Sequence, residues 1–203
     1  MMTRILTLVF PIILLAHVFL LVPVCDSQEE PHEHIDEKFN SLVEQSRSRD
    51  ANERQKSLLA LAQTNDVRAV EHFIRALRDK DPGVQNAAAG AIRRMGGLAL
   101  RPLMALLEGE DVQIRLKAAG LLAQIKDPLA TERLNGALAD GDLVIVAGAY
   151  TYFMESGQKA AEDALIQGLH AYNTKEMTRD FLNCGNVRLR EAACEWAAIH
   201  SDE

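Results

Sequence analysis

The chain has 203 residues and a net charge of -7, and 48% of its residues are hydrophobic while only 5% are aromatic. That length favours one domain. An acidic chain lacks the basic surface that phosphate contacts require, so we expect no nucleic-acid partner. The apolar residues are mainly Ala, Leu and Ile, which favours helices that pack closely through small side chains.

Residues 1–27 have the pattern of a signal peptide or of a membrane or lipid anchor. Arg4 precedes the apolar run Ile5–Val24, and an acidic stretch follows, which is typical of a secretory signal. The run is also long enough to span a bilayer. Three fates stay open: lipidation of Cys25 after cleavage, cleavage to a soluble chain that begins near Gln28, or retention as an anchor. All three predict an extracytoplasmic protein that is membrane-anchored, as a lipoprotein or through its N-terminus, or alternatively secreted or periplasmic.

An acidic spacer is predicted at residues 28–34, before a repeat domain at residues 35–203. The spacer contains His32-Glu33-His34. Two histidines without a rigid scaffold are weak metal ligands, so we interpret this stretch as a solvated tail and expect no metal site. Apolar residues at helical spacing then predict an opening helix, Ile35–Ser46, that caps the domain.

Internal repeats fill the middle of the chain. Aspartates open four units at spacings of 31, 30 and 31 residues: Asp50, Asp81, Asp111 and Asp142. The units therefore lie near residues 50–80, 81–110, 111–141 and 142–172. In the second helix of each unit, two apolar columns keep the same register: Phe73, Leu103, Leu134 and Leu165, then Leu77, Leu107, Leu138 and Leu169.

The composition of a unit explains why the units would stack. An Asp at the start of the first helix can accept backbone N–H bonds there. Small residues such as Ala118 and Ala119 let helices approach closely, and one helix pair is too small to bury its own apolar face. We therefore predict an all-α fold, a right-handed α-α superhelix (solenoid) of stacked antiparallel helix pairs.

The unit resembles a known repeat family. Asp81–Ile92 reads Asp-x-x-Val-x-x-Ala-Ala-x-x-Ala-Ile, which is similar to the HEAT repeat. The period of about 30 residues is shorter than is usual for HEAT units and favours the short HEAT-like subtype that also occurs in phycobilin lyases. The resemblance covers Asp50 to about Tyr172 and returns at Asn186. It implies the solenoid fold and no single function, because such arrays serve many purposes.

The resemblance includes one enzyme type that the residues argue against. Deoxyhypusine hydroxylases hold two irons through His-Glu pairs in several HEAT-like repeats. Here His-Glu occurs once, at His32-Glu33, and the array holds only the reversed pair Glu71-His72. We expect neither that activity nor phycobilin lyase activity, which would rest on the shared repeat alone.

The end of the array departs from the pattern. Unit 4 carries aromatic residues within Ala149–Phe153, where earlier units have small or aliphatic ones. A short extra helix is predicted at Lys175–Asn183, and Asn186 begins a last partial unit. Leu182 precedes Asn186 by four residues, as Leu77 precedes Asp81. We interpret residues 174–200 as a C-terminal cap.

No residue pattern indicates catalysis, so we expect no catalytic residue and no cofactor. The chain lacks a Gly-x-Ser-x-Gly motif and a phosphate loop, and His170 and His200 stand at or near helix ends, where terminal carbonyls account for them. Cys184 and Cys194 are predicted to be free thiols, because their separation exceeds what a disulfide spans. Cys194 matches the core position of Ala119, so it is predicted to be buried.

The remaining candidate is the outer stripe of the second helices. Its candidate binding residues carry mixed charge: Arg68, His72, Arg75, Arg101, Glu132 and Arg133. Mixed signs and small neighbours favour a protein or peptide partner over an anionic ligand, although a plain solvated face is the alternative. We predict a non-catalytic protein-binding or scaffold module tethered to a membrane. The alternatives are an enzyme or small-ligand carrier with an unrecognised site, and an accessory subunit that buttresses a membrane complex.

Overall fold

The computed structural model describes residues 31–172 and 174–200, with side chains from residue 36 onward. The chain divides into two compact units, residues 1–38 and 39–203. In the first unit the description begins with the N-terminal part of one helix, so the predicted signal or anchor and Cys25 lie outside the described residues. All of the repeats lie in the second unit.

The described regular structure is entirely helical, which confirms the all-α prediction. The α-helices are α1 (Pro31–Gln45), α2 (Ala51–Thr64), α3 (Ala69–Ala76), α4 (Pro82–Met95), α5 (Leu100–Leu107), α6 (Val112–Ile125), α7 (Pro128–Ala139), α8 (Leu143–Gly148), α9 (Tyr150–Ser156), α10 (Glu162–Tyr172), α11 (Lys175–Leu182) and α12 (Val187–Ile199). Short 3-10 helices at Gly96–Ala99 and Lys159–Ala161 lead into α5 and α10.

The helices form successive pairs, and each pair packs on the next. The pairs are α2 with α3, α4 with α5, α6 with α7, and α8 and α9 with α10. The first helices of neighbouring units contact each other, as do the second helix of one unit and the first helix of the next. The second unit of the chain is therefore a solenoid of stacked helix pairs.

The first helix starts earlier than predicted. We expected it to begin at Ile35, but α1 begins at Pro31, so residues 31–34 of the predicted spacer are helical. Proline suits the first position of a helix because its missing N–H would have no partner there.

The residues predicted to start each unit cap the first helices as expected. Asp111 accepts backbone N–H bonds from Gln113 and Ile114 through one carboxylate oxygen, at 3.1 and 3.2 Å. The other caps do the same through Oδ1, namely Asp50, Asp81, Asp142 and Asn186. Each such cap stabilises its helix by about 1 kcal/mol.

The predicted apolar columns form the core. Phe73, Leu103, Leu134 and Leu165 are all at most 2% exposed. In the other column Leu77, Leu107 and Leu169 are buried, while Leu138 is half-buried against the core. The register inferred from the sequence is therefore correct through all four units.

Units 3 and 4 approach each other more closely than a methyl group would allow. A Cβ on Gly148 of α8 would lie 2.8 Å from the Cβ of Ala119 and would also collide with the carbonyl oxygen of Leu116, both on α6. Within unit 4, a Cβ on Gly168 of α10 would lie 3.0 Å from that of Ala147. Close backbone approach explains why glycine and alanine occupy these positions.

The first helix of unit 4 is interrupted, which the sequence did not reveal. It ends as α8 at Gly148 and resumes as α9 at Tyr150. The Tyr150 ring packs edge-on against Phe181 of α11 at 6.1 Å, and its hydroxyl donates to Asp180 Oδ2 at 2.8 Å. The aromatic residues of this unit thus fasten the extra helix α11 to the array.

Two details of the predicted C-terminal cap are wrong. Leu182 is 38% exposed, and Phe181 fills the core position instead. Cys194 is exposed rather than buried, although both Cys184 and Cys194 are free thiols as predicted. Ala119, the equivalent of Cys194, is covered by Gly148 of the following unit. Among the described residues, no helix follows α12 to cover Cys194 in the same way.

Candidate functional site

Arg68 and His72, at the N-terminal end of the predicted binding stripe, contact α1. The rings of Phe39 and His72 meet edge-on with centroids 6.2 Å apart, and the guanidinium of Arg68 lies 4.5 Å above the Phe39 ring. We expected Arg68 and His72 to point away from the core. Arg68 is solvent-exposed, whereas His72 is half-buried.

The position of α1 explains the contact. Phe39 stands eleven residues before Asp50, as the buried Val70 of α3 stands eleven before Asp81. The C-terminal part of α1 therefore takes the place that a second helix of a preceding unit would have. A terminal half-unit of this kind covers apolar surface that would otherwise be open.

His72 has an unusual environment for a surface histidine. Its Nδ1 is buried and has no hydrogen-bond partner within the described part of the chain. Burial lowers the pKa of His72, the charges of Arg75 and Arg47 lower it further, and Glu71 opposes them. The neutral ring is therefore the favoured form in this position.

A third candidate, Arg133 of α7, binds within the array. Its guanidinium donates to Glu108 Oε1, just after α5, at 2.7 Å, and the Arg133 side chain is only 28% exposed. Arg133 therefore links units 2 and 3 rather than presenting a free charge.

The other candidate residues are solvent-exposed, and those on units 2 and 3 form one surface. Arg101 on α5 and Glu132 on α7 are exposed, and the two helices contact each other. Ala105 on α5 is exposed, and a Cβ on Gly136 of α7 would meet no atom within 4 Å. We call these four residues the α5–α7 surface. Arg75, on the preceding second helix, is also exposed.

The α5–α7 surface suits contact with a partner. It combines one positive and one negative side chain with two small residues, which leaves room for the backbone or side chains of a partner. In the part of the chain that the structure describes, no group of three or more His, Cys, Asp or Glu could hold a metal ion.

The sequence reasoning missed a set of side chains that fasten the units together. They lie four residues after each cap, and all but one are long hydrogen-bond donors: Arg54, Gln85, Arg115 and Arg190, with Val146 the exception. Gln85, Arg115 and Arg190 bind carbonyl oxygens of the preceding turn. In the sequence these residues can be recognised as polar side chains that recur four positions after a cap residue.

Arg54 is the most buried of these hydrogen-bond donors. It donates twice to the carboxylate of Asp79, at 2.7 Å each, and also to the backbone oxygens of Ser48 and Arg49. The hydrogen bond from Arg54 lowers the pKa of Asp79, as expected for a carboxylate beside a guanidinium. All four of these hydrogen bonds lie inside the array, so the pair is structural.

A partly buried lysine also has a structural role. Lys117 Nζ donates to the Leu77 oxygen at 3.0 Å and to Gln85 Oε1 at 2.7 Å, so one side chain joins units 1, 2 and 3. Burial lowers the pKa of Lys117. Lysines with lowered pKa occur in active sites, but both partners of this ammonium group are elements of the repeat.

The clefts in the described structure are small and open. One, of about 220 Å³, lies between unit 4 and the C-terminal cap and is lined in part by Gln158, Glu162 and Cys184. Glu162 accepts from Asn186 and Arg188, and the thiol of Cys184 lies 3.5 Å from the Asn186 oxygen. Glu162 therefore joins unit 4 to the C-terminal cap.

Comparison with known proteins agrees with the repeat pattern. Residues 39–108 match the family model for HEAT repeats. Residues 39–108 therefore carry HEAT repeats. The match spans the first two units, and the same caps and core columns continue through units 3 and 4. No curated protein is significantly similar to this HEAT-repeat chain in sequence.

Two solved structures resemble the HEAT-repeat chain only distantly. One is the complex of CpcE and CpcF of phycocyanin lyase from Nostoc sp., with 19% identity, a TM-score of 0.36, and coverage of 76% of this chain and 74% of that one. The other is a designed armadillo repeat protein, with 16% identity, a TM-score of 0.33, and coverage of 81% and 100%. At these TM-scores neither likeness indicates a function.

No helix within residues 31–172 and 174–200 is long and apolar enough to cross a bilayer. The apolar run Ile5–Val24 lies outside that range.

Proposed function

We propose that the protein is a non-catalytic scaffold that binds a protein or peptide partner outside the cytoplasm while its N-terminus holds it at a membrane. The observation that carries the proposal is the α5–α7 surface. It lies on the most regular part of the array, where the helices are fixed by a continuous core. A rigid surface with small residues between charges can accept a partner without reorganising.

The charges of the α5–α7 surface favour a polar partner that carries both positive and negative charges. Arg101 and Glu132 are exposed, and neither side chain is hydrogen-bonded to the described part of the array, in contrast to Arg133. Exposed opposite charges contribute more to orientation and association rate than to affinity. We therefore expect a modest contact that depends on both charges.

Charge reversal tests the binding surface. Arg101→Glu combined with Glu132→Arg leaves the net charge unchanged, and tagged full-length chain is captured from membranes in mild detergent. We expect a stoichiometric protein partner with the wild type, and its loss with the double variant. The control is Arg94→Glu, an exposed residue near the end of α4, which should keep the partner. A partner that survives the double reversal, a tightly bound small molecule or catalytic turnover would overturn the proposal.

Membrane tethering rests on the sequence of residues 1–27 and has its own test. If Cys25 is lipidated after cleavage, Cys25→Ser moves the protein from the membrane fraction to the soluble fraction. Retention of the variant in membranes would instead indicate a spanning anchor. A wild-type protein found wholly in the soluble fraction would contradict tethering altogether.

A further inference from the structure

The C-terminal half of α1, residues 39–45, is held against the array by two buried side chains. Phe39 and Val43 are 6% and 8% exposed, and the other described side chains of α1 are exposed or half-buried. Phe39 meets the ring of His72 edge-on and lies beneath Arg68. A helix held at so few points can open locally when one contact weakens.

The charges that face His72 are mainly positive. Arg75 and Glu71 are its neighbours on α3, and Arg47 approaches from the turn after α1. Arg47 pairs with the exposed Glu44 on α1. Above the Phe39 ring, Arg68 is bound to Asp66 at 2.6 Å. A protonated His72 would therefore stand close to two further cations, with one carboxylate in partial compensation.

The geometry at Nδ1 adds a second cost to protonation. Nδ1 is buried and no described group accepts from it or donates to it. A neutral imidazole can leave this nitrogen unprotonated, whereas an imidazolium must place an N–H donor there. A buried donor without an acceptor is destabilising, and outward movement of Phe39 would let water reach it.

We propose that the contact between Phe39 and His72 is acid-sensitive: neutral His72 holds residues 39–45 against α3, and protonation of His72 releases them. The docked state binds a proton less tightly than the released state, so docking is at full strength above the ordinary histidine pKa of about 6.5 and weakens as the pH falls below it. Release would turn residues 39–45 into additional linker between the N-terminal segment and α2.

Hydrogen exchange of the full chain in mild detergent tests the release. Protection factors, corrected for the intrinsic rate at each pH, are compared at about pH 7.5 and about pH 5.5. We expect protection of residues 39–45 to fall at the lower pH while that of α6 does not change. Equal protection of residues 39–45 at both pH values, or a parallel loss in α6, contradicts the proposal.

A matched pair of variants isolates His72. His72→Phe keeps an aromatic ring against Phe39 and removes the titration, so residues 39–45 should stay protected at both pH values. His170→Phe changes an exposed histidine on α10 and should behave as the wild type. Acid release that persists in His72→Phe would overturn the assignment to His72.

A second variant gives an answer even if His72→Phe folds poorly. Phe39→Ala removes the docked ring, and the proton resonances of the histidines are followed by NMR titration. If docking is what disfavours the protonated ring, the pKa of His72 rises toward the ordinary value in Phe39→Ala. An unchanged His72 titration shows that α1 does not control it and contradicts the proposal.

Discussion

The first helices of units 3 and 4 start alike and end differently. Both begin at an Asp cap. Ten and eleven residues later, unit 3 has Leu121 and Leu122, both buried, whereas unit 4 has Tyr152, which is half-buried, and Phe153, which is buried. In unit 3 the helix α6 is continuous, whereas in unit 4 it divides at Ala149. The helices α6 and α8 pack on each other through Ala119 and Gly148, and unit 4 in addition contacts α11 through Tyr150.

This difference separates two kinds of stabilisation. Where a unit has similar neighbours, small residues allow one continuous core. In these units the polar side chains four residues after each cap bind the preceding turn. Where the repeat ends, individual aromatic and polar contacts hold non-repeated helices in place. Substitutions in the regular part should therefore weaken the whole array, and substitutions at the end should act locally.

The largest effect is expected at the centre of the core. Leu134→Asp places an unpaired charge at a site that is 1% exposed, which costs about 4 kcal/mol or more and should unfold the array cooperatively. Leu129→Asp is the matched control, because Leu129 lies on the same helix and is 57% exposed. Thermal melting followed by circular dichroism checks both variants. An unchanged melting curve for Leu134→Asp would refute the register.

A smaller effect is expected at the close approach between units 3 and 4. Gly148→Ala introduces a Cβ that collides with Leu116 and Ala119, and we expect a loss of about 1–3 kcal/mol. Gly136→Ala adds the same methyl group to an open helical position and should stabilise by up to about 1 kcal/mol. Urea unfolding of the two variants should shift in opposite directions. Destabilisation by both would show that close packing is not the cause.

The smallest effect is expected where α11 joins the array. Tyr150→Phe removes the hydroxyl that donates to Asp180 and keeps the ring against Phe181, so we expect a loss of about 1 kcal/mol. Hydrogen exchange should rise in α11 and not in α6. Tyr172→Phe, which changes a half-buried tyrosine at the end of α10, is the control. An equal rise in α6 would show that unit 4 is not a local attachment.

The sequence predicted the regular part of this fold because caps and core positions recur there. Asp111 and Leu134 each have equivalents in neighbouring units, so a periodic pattern fixed their roles. The ends were harder, since burial there depends on whether a neighbour exists. Cys194 has the register of a core residue and yet is exposed, and Phe181 is buried where Leu182 was expected.

The candidate site was predicted only in part for the same reason. Within the outer stripe, Arg101 and Glu132 are exposed as expected. The sequence did not show that α1 would contact Arg68 and His72, because that contact joins helices that belong to no common repeat. It also did not show that Arg133 would bind Glu108 in another unit.

The central claim is that a partner binds the α5–α7 surface of a HEAT-repeat scaffold. Site-specific photocrosslinking in intact membranes tests it most directly, with the reactive residue placed at Ala105 on α5 or at Asn86, an exposed position on α4. We predict one crosslinked protein partner from Ala105 and none from Asn86. Crosslinks from Asn86 alone, or from neither position, would contradict the claim.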